Sequence, residues 1–496
     1  MEDIRHIADS LSRDEVPETF GDLHVYPRSR LVVDNTRILM IRRGGIGQLL
    51  ATGSGPLFDA LGGQEAGSCR LCPLNEATRS AINRHFPFTI PAPAGRLRAG
   101  IGLGDRLGRA SSGHIRALEG KGVFPILAQQ SMRELSLTGR TYSDVLDAAC
   151  FAVLREGYVG GYGADGDHLK NEADIAAAIG LGFSMITLDC SEFIDATTES
   201  LGPQALKKRY AEIPSVVRGG YERAYSGESF RVGTAEIFFD REELARCMLL
   251  YSGVIDFAEK IFKDHIRTAG REIDFELSID ETSTPTTPEA HYLVAAELRR
   301  RGVELTSIAP RFCGEFQKGV DYRGSADRFE MEFAVHAAIA DDFGYRLSVH
   351  SGSDKFAVFP AIGELTGGRF HVKTAGTSWL EAVRLVARRN PTLYRKVHAK
   401  AIESFSLARE YYHVSADPAS IAPLDSVADG DLSGYLDDDN ARQVLHITYG
   451  FILNRTAEGT INPLGQEFLS ALDAEEDLYR DMLAAHIGKH LALLGK

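Results

Sequence analysis

The chain has 496 residues, 44% hydrophobic and 25% charged, a composition typical of globular proteins that bury a sizeable core. Its formal net charge of −14 argues against a nucleic-acid or anionic-membrane partner, because the field of the whole protein would repel both. The polar N-terminus and the lack of any apolar run near the ~18 residues of a membrane span predict a cytoplasmic protein, whose assembly into a homo-oligomer stays open.

The first segment, residues 1–96, contains short β-like runs and turns rich in glycine and proline, which predicts a β-rich extension that ends near residues 91–95. Cys69 and Cys72 form a CxxC pair here, but no second pair follows to complete a structural zinc site. We therefore expect two reduced thiols in a turn, with half of a redox or intermolecular site as the alternative.

From residue 98 onward, short apolar runs alternate with helical stretches. Eight runs cover residues 98–103, 124–128, 158–162, 184–188, 273–279, 305–309, 346–349 and 369–372. Apolar strands that alternate with helices indicate a parallel sheet covered on both faces. Eight of them favour an α/β fold of the (β/α)8 TIM type, a closed barrel, over an open doubly wound sheet.

Two further regions extend the predicted barrel. The connection at about residues 191–271 is unusually long and holds a helix-like stretch, so we expect an insertion over the barrel mouth. After Pro391 the chain becomes mainly helical. The predicted organisation is therefore an N-terminal β-rich extension (1–96), a catalytic barrel (97–390) and a C-terminal helical region (391–496).

Polar side chains follow the predicted strands, at the end of the barrel where catalytic residues of this fold gather. In chain order they are Asp105, Gln129, Gln130, Asp165, Asp167, His168, Lys170, Asp189, Asp280, Glu281, Arg311, His350, Asp354, Lys355, His371 and Lys373. Ordinary solvated strand ends would favour lysine and serine, whereas histidines and acids dominate in this set. The pattern therefore predicts an active site.

The histidines of this set, His168, His350 and His371, suit a metal centre. With one carboxylate from Asp280 or Glu281 they form a donor set typical of zinc, manganese, nickel or cobalt. We assign Asp280 to this divalent transition metal and Glu281 to catalysis, and the reverse assignment stays open. The alternative for any one of these histidines is a core residue or a general base.

Asp167 and Lys373 are the other predicted catalytic residues. Asp167 precedes His168 and can orient its ring or transfer protons. Lys373 lies two residues after His371, on the same side of a strand, where a nearby cation would lower its pKa.

Local positive charge within an acidic protein predicts an anionic substrate. Lys170, Arg311 and Lys355 follow predicted strands and could face a carboxylate, while Gln130 and Asp189 complete the predicted substrate contacts. A glycine run at residues 102–108 resembles a dinucleotide fingerprint. The similarity is weak, because the run reads GxGxxxG and the fingerprint reads GxGxxG. A tight loop of the barrel is the preferred interpretation.

Several segments together resemble the tagaturonate epimerase family, whose relatives include tagatose/fructose epimerases. They are GLGDRLGRA (102–110), YGADGDHLK (162–170), SIDETSTPTTPEAH (278–291), HSGSDK (350–355) and FHVKTAGTSWLEA (370–382). The resemblance covers most of the chain. It implies a metal-dependent epimerase that acts on D-tagaturonate and D-fructuronate, or on the neutral ketohexoses tagatose and fructose.

The implied reaction constrains the chemistry. The two sugar acids differ at a hydroxyl-bearing carbon β to the ketone, whose proton is not acidic, so enolisation cannot invert it. Retro-aldol cleavage, rotation and re-addition can invert it, with a metal stabilising the enediolate. Transient oxidation by NAD is an alternative route. Alternative functions are a metal-dependent aldolase or ketose isomerase on the same barrel, or a non-catalytic sugar-acid binding protein.

Overall fold

Strands and helices alternate along most of the computed structural model, which describes residues 2–15, 19, 21, 23–282, 284–456 and 459–496. The chain divides into two compact units. The first consists of Met1–Ala92, Leu103–Ala164 and Ala375–Lys489, and the second of Pro93–Gly102, Asp165–Thr374 and His490–Lys496. The domain boundaries predicted from the sequence do not coincide with these units.

The strands are β1 (Leu23–Val33), β2 (Asn35–Arg43), β3 (Ile46–Ser54), β4 (Gln64–Ala66), β5 (Cys69–Pro73), β6 (Gly100–Leu103), β7 (Phe124–Ser131), β8 (Gly163–Leu169), β9 (Met185–Asp189), β10 (Ser229–Val232), β11 (Ala235–Phe238), β12 (Asp274–Ile279), β13 (Ser307–Pro310), β14 (Arg346–Val349) and β15 (Phe370–Thr374).

The α-helices are α1 (Glu2–Ser12), α2 (Pro56–Ala60), α3 (Glu76–His85), α4 (Ser111–Leu118), α5 (Met132–Thr138), α6 (Tyr142–Glu156), α7 (Glu172–Leu181), α8 (Pro203–Glu212), α9 (Ser215–Tyr225), α10 (Arg241–Ile261), α11 (Pro288–Arg300), α12 (Ala326–Phe343), α13 (Phe359–Leu365), α14 (Gly376–Arg389), α15 (Pro391–Ala408), α16 (Asp439–Ile447), α17 (Tyr449–Leu453), α18 (Pro463–Ala474) and α19 (Glu476–Leu493).

A closed barrel confirms the predicted fold class. Its strands follow the order β6, β7, β8, β9, β12, β13, β14 and β15. Strands β7, β9 and β12 are buried along their whole length, as expected for a parallel sheet covered on both faces. The catalytic ends of such strands all lie at one end of the barrel.

One predicted strand is misplaced. The sequence predicts a strand at residues 158–162, whereas β8 spans Gly163–Leu169. The apolar run ends at Tyr162, which is buried and donates its hydroxyl proton to Thr89 O at 2.7 Å. The strand itself contains Asp165 and Asp167, and this polar sequence suggested a loop because the partners that neutralise it lie far along the chain.

The N-terminal antiparallel sheet confirms the predicted β-rich extension, and its strand order is β1-β2-β3-β5-β4. Alternate residues of β2 point to opposite faces. Leu39 and Ile41 pack in one apolar cluster with α1, while Ile38 and Met40 pack in another with α2 and α3. Both faces are therefore covered.

The CxxC pair lies within strand β5 and not in the predicted turn. Cys69 and Cys72 are both buried and carry free thiols. Burial raises the pKa of Cys72 to about 11, so its thiol stays protonated and unreactive near neutral pH.

The long connection contains helices α8, α9 and α10 and the hairpin β10–β11. It packs on helix α11, where Tyr225 donates its hydroxyl proton to Glu297 Oε1 at 2.9 Å. The insertion also contacts two loops that follow barrel strands. Lys170 Nζ is 3.0 Å from Ser191 Oγ, and Thr284 Oγ1 donates to Glu199 Oε1 at 2.7 Å.

The C-terminal helices of the first unit pack around Trp379 of α14. Its indole nitrogen donates to Leu445 O at 2.7 Å, and its ring lies beside Phe468. Gly376 begins α14 at a place where any side chain would overlap the ring of His446, so only glycine allows this packing. Within the described ranges, no helix combines the length and apolar character needed to cross a membrane.

Two buried histidines of the second unit give an expected pH dependence of stability. His291 Nδ1 and His336 Nδ1 are 2.9 Å apart, and the Tyr345 hydroxyl is 2.7 Å from His291 Nε2. Burial lowers the pKa of His336 to about 4 and that of His291 well below its ordinary value. The unfolded chain therefore binds more protons between about pH 6.5 and 4, and stability falls as the pH falls through this window.

We expect the free energy of unfolding, measured by urea denaturation, to fall between pH 7.5 and pH 5 by about 2 kcal/mol for each such histidine. The His336→Gln variant should lose about that much of the dependence, because glutamine does not titrate. A half-buried control at the surface, His265→Gln, should keep it. An equal pH dependence in His336→Gln and the wild type would contradict the prediction.

Candidate active site

The ammonium group of Lys373 lies at the centre of a buried polar cluster in the second unit. Its Nζ atom is 2.8 Å from Asp165 Oδ2, 2.7 Å from Asp167 Oδ1 and 2.9 Å from Glu276 Oε1. Thr187 Oγ1 donates to Asp165 Oδ1 at 2.9 Å and lies 3.2 Å from Glu276 Oε1. Strands β8, β9, β12 and β15 each contribute inward-pointing residues to this cluster.

A backbone irregularity in β8 brings His168 to the same cluster. His168 has a φ of 56°, in the left-handed region that residues other than glycine rarely adopt. The pairing of β8 with β9 shifts register between Gly166 and Leu169. Regular alternation would put Asp167 and His168 on opposite sides of the strand. With the bulge, His168 Nδ1 instead lies 2.9 Å from Asp167 Oδ1.

His168, Asp280 and His350 form a group that could hold a metal ion, since one ligand atom from each lies within 4.8 Å of the others. The ring centroids of His168 and His350 are 4.7 Å apart. His350 Nδ1 is 3.1 Å from Asp280 Oδ1, and Ser278 Oγ donates to the same carboxylate oxygen at 2.6 Å. Two imidazoles and one carboxylate suit a divalent transition metal.

The site contains an excess of negative charge. Its carboxylates belong to Asp165, Asp167, Glu276 and Asp280, and its ammonium group to Lys373. Burial alone would lower the pKa of His350, but Asp280 and Glu276 outweigh it and raise the value to about 10. Burial raises the pKa of Asp165 to about 6 against the attraction of Lys373. Bound protons thus offset part of the negative charge, and a divalent cation would offset it in the same way.

The protonation states of Lys373 and Asp167 follow from their mutual contact. Burial disfavours the charge on Lys373, but the surrounding carboxylates hold its pKa well above the ordinary range. Burial would raise the pKa of Asp167, but His168 and Lys373 hold it well below the ordinary range. We expected a nearby cation to lower the pKa of Lys373, whereas here its neighbours are carboxylates. Near neutral pH, Asp167 is therefore ionised and Lys373 protonated.

His371 occupies a different environment from the other predicted ligands. It is fully buried, and neither ring nitrogen has a hydrogen-bond partner among the described residues. Its ring nitrogens are not part of the group formed by His168, Asp280 and His350. Burial lowers its pKa to about 3, so the ring is neutral. His371 precedes Lys373 by two positions on β15, further from the strand end, and its role as a ligand stays a prediction.

Two predicted substrate contacts lie beside each other. Lys170 Nζ is 3.5 Å from Asp189 Oδ2, at the neighbouring ends of β8 and β9. Asp189 Oδ1 also accepts from the backbone amide of Ser191 at 2.9 Å. Lys170 is more than one third exposed, which leaves its ammonium group accessible to a ligand.

Lys355 is surrounded by backbone carbonyl groups of two loops. It is fully buried, and its Nζ donates to the backbone carbonyls of Gln317, Val320 and Ser353 at 2.9, 2.6 and 2.9 Å. These bonds hold two loops together and use the proton donors of the ammonium group. The contact of Lys355 with a substrate carboxylate stays a prediction.

The remaining predicted residues lie outside the Lys373 cluster. Glu281 is exposed, and Arg311 is half-buried with its backbone paired to Thr286. Gln130 belongs to β7 of the first unit, where its side-chain oxygen accepts from Arg140 at 3.0 Å. Their catalytic or substrate-binding roles stay predictions.

Sequence reasoning missed Glu276 and Thr187. Glu276 is fully buried between Phe275 and Leu277 on β12 and accepts from Ser307 Oγ at 2.6 Å. The available signal was a glutamate inside an apolar strand, because a buried carboxylate requires a partner of opposite charge or several hydrogen bonds. Glu276 was not predicted, because it lies inside β12 and the predicted site consisted of residues at strand ends.

The glycine run at 102–108 forms a loop that is closed by its own aspartate. Asp105 accepts from the backbone amides of Leu107 and Gly108 through Oδ1 and from that of Ala110 through Oδ2. In a dinucleotide site such amides would instead face a pyrophosphate. The geometry agrees with the preferred interpretation as a tight loop.

Comparisons with known proteins match this architecture over nearly the whole chain. A family model described as tagaturonate epimerase matches residues 26–494. The tagaturonate/fructuronate epimerase of Thermotoga maritima is 42% identical over 429 residues, which cover 86% of each protein. The chain belongs to the tagaturonate epimerase family. This confirms the resemblance found in the sequence segments.

Solved structures from this family superpose closely on the chain. The native crystal structure of the fructuronate-tagaturonate epimerase UxaE from Cohnella laeviribosi matches with a TM-score of 0.95 and 51% identity, covering 100% of both chains. A crystal structure of the same protein with one glycerol matches with a TM-score of 0.94. The named relatives are all epimerases, so the chain is assigned to the isomerase class.

Proposed function

We propose that this chain interconverts D-tagaturonate and D-fructuronate. The observation that carries the proposal is that a donor group suited to a metal, partly buried, lies directly beside a buried cluster of acid–base residues. The chain is 51% identical over its full length to a protein described as a fructuronate-tagaturonate epimerase, which supports the same substrates. Lys170 supplies an accessible positive charge for a carboxylate of such a sugar acid.

His168, Asp280 and His350 would hold a divalent transition metal. When bound, such an ion supplies Lewis-acid stabilisation of negative charge that develops on an oxygen. The fit of the site rests on its donor atoms and on its excess of carboxylates, which a dication would balance. Glu276 orients the ring of His350, because its Oε1 atom lies 2.8 Å from His350 Nε2. The bulge in β8 orients the ring of His168.

The proposed reaction is a retro-aldol cleavage followed by re-addition. Asp167 accepts the proton of the β-hydroxyl, the bond between the α and β carbons breaks, and an aldehyde and an enediolate form. The aldehyde rotates, the carbon–carbon bond forms again on its other face, and Asp167 returns the proton to the new alkoxide. The lowered pKa of Asp167 keeps it in the basic form that the first step requires.

Lys373 stabilises the charges that change during this reaction. Its ammonium group contacts Asp167, Asp165 and Glu276, which use its three proton donors, so it acts on a neighbouring oxyanion through its charge. Asp165 and Glu276 hold the ammonium group in place from two other strands. Glu281 is an alternative acid–base residue, because its exposed carboxylate follows the same strand as Asp280.

The decisive experiment is incubation of the full chain and a divalent metal with D-tagaturonate, followed by NMR. We expect D-fructuronate as the product. A substrate deuterated at the inverted carbon should keep its deuterium and react without a primary isotope effect, because that carbon–hydrogen bond stays intact. A primary deuterium effect would indicate oxidation at this carbon, release of fragments would indicate an aldolase, and a moved carbonyl would indicate a ketose isomerase.

A further inference from the structure

A second polar cavity, of about 340 Å³, lies entirely within the first compact unit. Its guanidinium groups belong to Arg42, Arg106, Arg109, Arg140, Arg155 and Arg455. Its carboxylates belong to Asp144, Asp147, Asp473 and Glu476. The lining therefore has more positive than negative groups, in a protein whose net charge is −14.

The carboxylates of this cavity are already engaged. Glu476 pairs with Arg42 at 3.0 Å and also with Arg155. Asp473 Oδ1 is 2.8 Å from Arg109 Nε. The other two carboxylates contact residues that do not line the cavity, with Asp147 Oδ1 2.6 Å from Arg79 Nε and Asp144 Oδ2 2.9 Å from Thr141 Oγ1.

Two arginines of the cavity have no carboxylate hydrogen-bonded to them among the described residues. Arg140 donates to the side-chain oxygen of Gln130 and to the backbone oxygens of Asp105 and Asp144. Arg455 donates to Gly459 O at 2.8 Å. Arg140 is half-buried and Arg455 is exposed, and a guanidinium group without a carboxylate partner is available to bind another anion.

The electrostatics of Arg140 agree with this geometry. Burial lowers the pKa of Arg140, and the neighbouring Arg109 and Arg455 lower it further, against the opposing effect of Asp105 and Asp144. Like charges therefore lie close together in the cavity, and among the described residues Asp105 and Asp144 balance them only in part. An anion between them would relieve both the burial cost and the repulsion.

Helix α4 adds an independent feature to the same cavity. Ser111 and Ser112 line it, and the first residue of this end, Ala110, makes no side-chain cap, although its backbone amide donates to Asp105 Oδ2 at 2.7 Å. Ser111 is only 3% exposed, and its hydroxyl has no hydrogen-bond partner among the described residues. Helix N-termini bind anions through their free backbone amides, and a buried serine hydroxyl can donate to the same anion.

We propose that this cavity binds the phosphate group of a small metabolite. Arg140, Arg455 and Ser111 contact the phosphate oxygens. Met40, Leu107 and Phe151 form an apolar part of the lining that can receive the organic portion of the ligand. None of the candidate active-site residues of the second unit lines this cavity, so the proposal is independent of the epimerase reaction.

The test uses the full-length protein and isothermal titration with inorganic phosphate at constant ionic strength. The wild type should show saturable binding, and phosphate should raise its melting temperature. Arg455→Gln and Ser111→Ala should each weaken binding by about tenfold, because each removes a donor to a charged acceptor. Arg455 is exposed and Ser111 is small, so both variants should fold.

Arg116→Gln is the matched control, because Arg116 lies on the same helix, pairs with Asp481 at 2.9 Å and does not line the cavity. It should bind phosphate like the wild type. Absence of saturable binding to the wild type, or equal binding by all variants, would overturn the proposal. Binding that is lost only in His350→Gln would place the phosphate in the active site and also overturn it. Acetate that binds as tightly as phosphate would overturn the choice of phosphate.

Discussion

Replacement of His350 by glutamine should reduce epimerisation of D-tagaturonate by at least about a thousandfold, equivalent to about 4 kcal/mol of lost transition-state stabilisation. The imidazole of His350 contacts Asp280 through Nδ1 and Glu276 through Nε2, and glutamine cannot make both contacts with the same geometry. The measurement is the initial rate by NMR, together with the metal content of the purified variant. We expect both the rate and the metal content to fall.

The control for this variant is His265→Gln. His265 lies in the same unit, and its side chain pairs with Glu172, with Nε2 3.2 Å from Oε2. Its replacement should leave the rate and the metal content unchanged. A chelator should also remove the activity of the wild type, and zinc, manganese, nickel or cobalt should restore it, but should not restore His350→Gln. Full activity of a chelated, metal-free wild type would contradict the proposed role of the metal.

The Asp167→Asn variant should lower kcat by about 10² to 10⁴, with a much smaller change in KM. Asparagine has nearly the same shape as aspartate but cannot accept the proton of the β-hydroxyl. It also removes a negative charge 2.7 Å from Lys373 Nζ, where Asp165 and Glu276 still hold the ammonium group, so the fold should persist. Circular dichroism and the melting temperature would check this.

The matched control is Asp264→Asn, an aspartate of the same unit whose side chain is 53% exposed and pairs with Lys260. Its kcat should equal that of the wild type. If Asp167→Asn retained the wild-type kcat, Asp167 would not be the base, and Glu281 would become the residue to replace next. A loss of affinity with an unchanged kcat would instead indicate that Asp167 only binds substrate.

Much of the fold could be predicted because its signals are local. Apolar strands that alternate with capped helices produce the same pattern wherever a parallel sheet is covered on both faces. Seven of the predicted runs overlap strands of the barrel, and the N-terminal sheet was also predicted. The strand that was misplaced, β8, contains two aspartates and a histidine among its seven residues.

The candidate site was predicted where its residues end strands. Asp280 and His350 each follow an apolar run, His168 lies near the end of β8, and the structure brings these three together. Their convergence follows from the parallel arrangement, which places the carboxyl ends of all strands at one end of the barrel. The sequence predicted His371 as a fourth member of this group, because His371 also lies at a predicted strand end.

The sequence by itself therefore determined the barrel, its two extensions, the family and most of the polar residues at the strand ends. Only the tertiary structure decided which charges neutralise one another. Lys373 contacts Asp167 across 206 positions of the chain, and no local pattern encodes that contact. The same holds for Glu276, which is stable inside the barrel because Lys373 and His350 reach it from other strands. Burial of a charge depends on partners that are distant in sequence, and those partners are set by the fold.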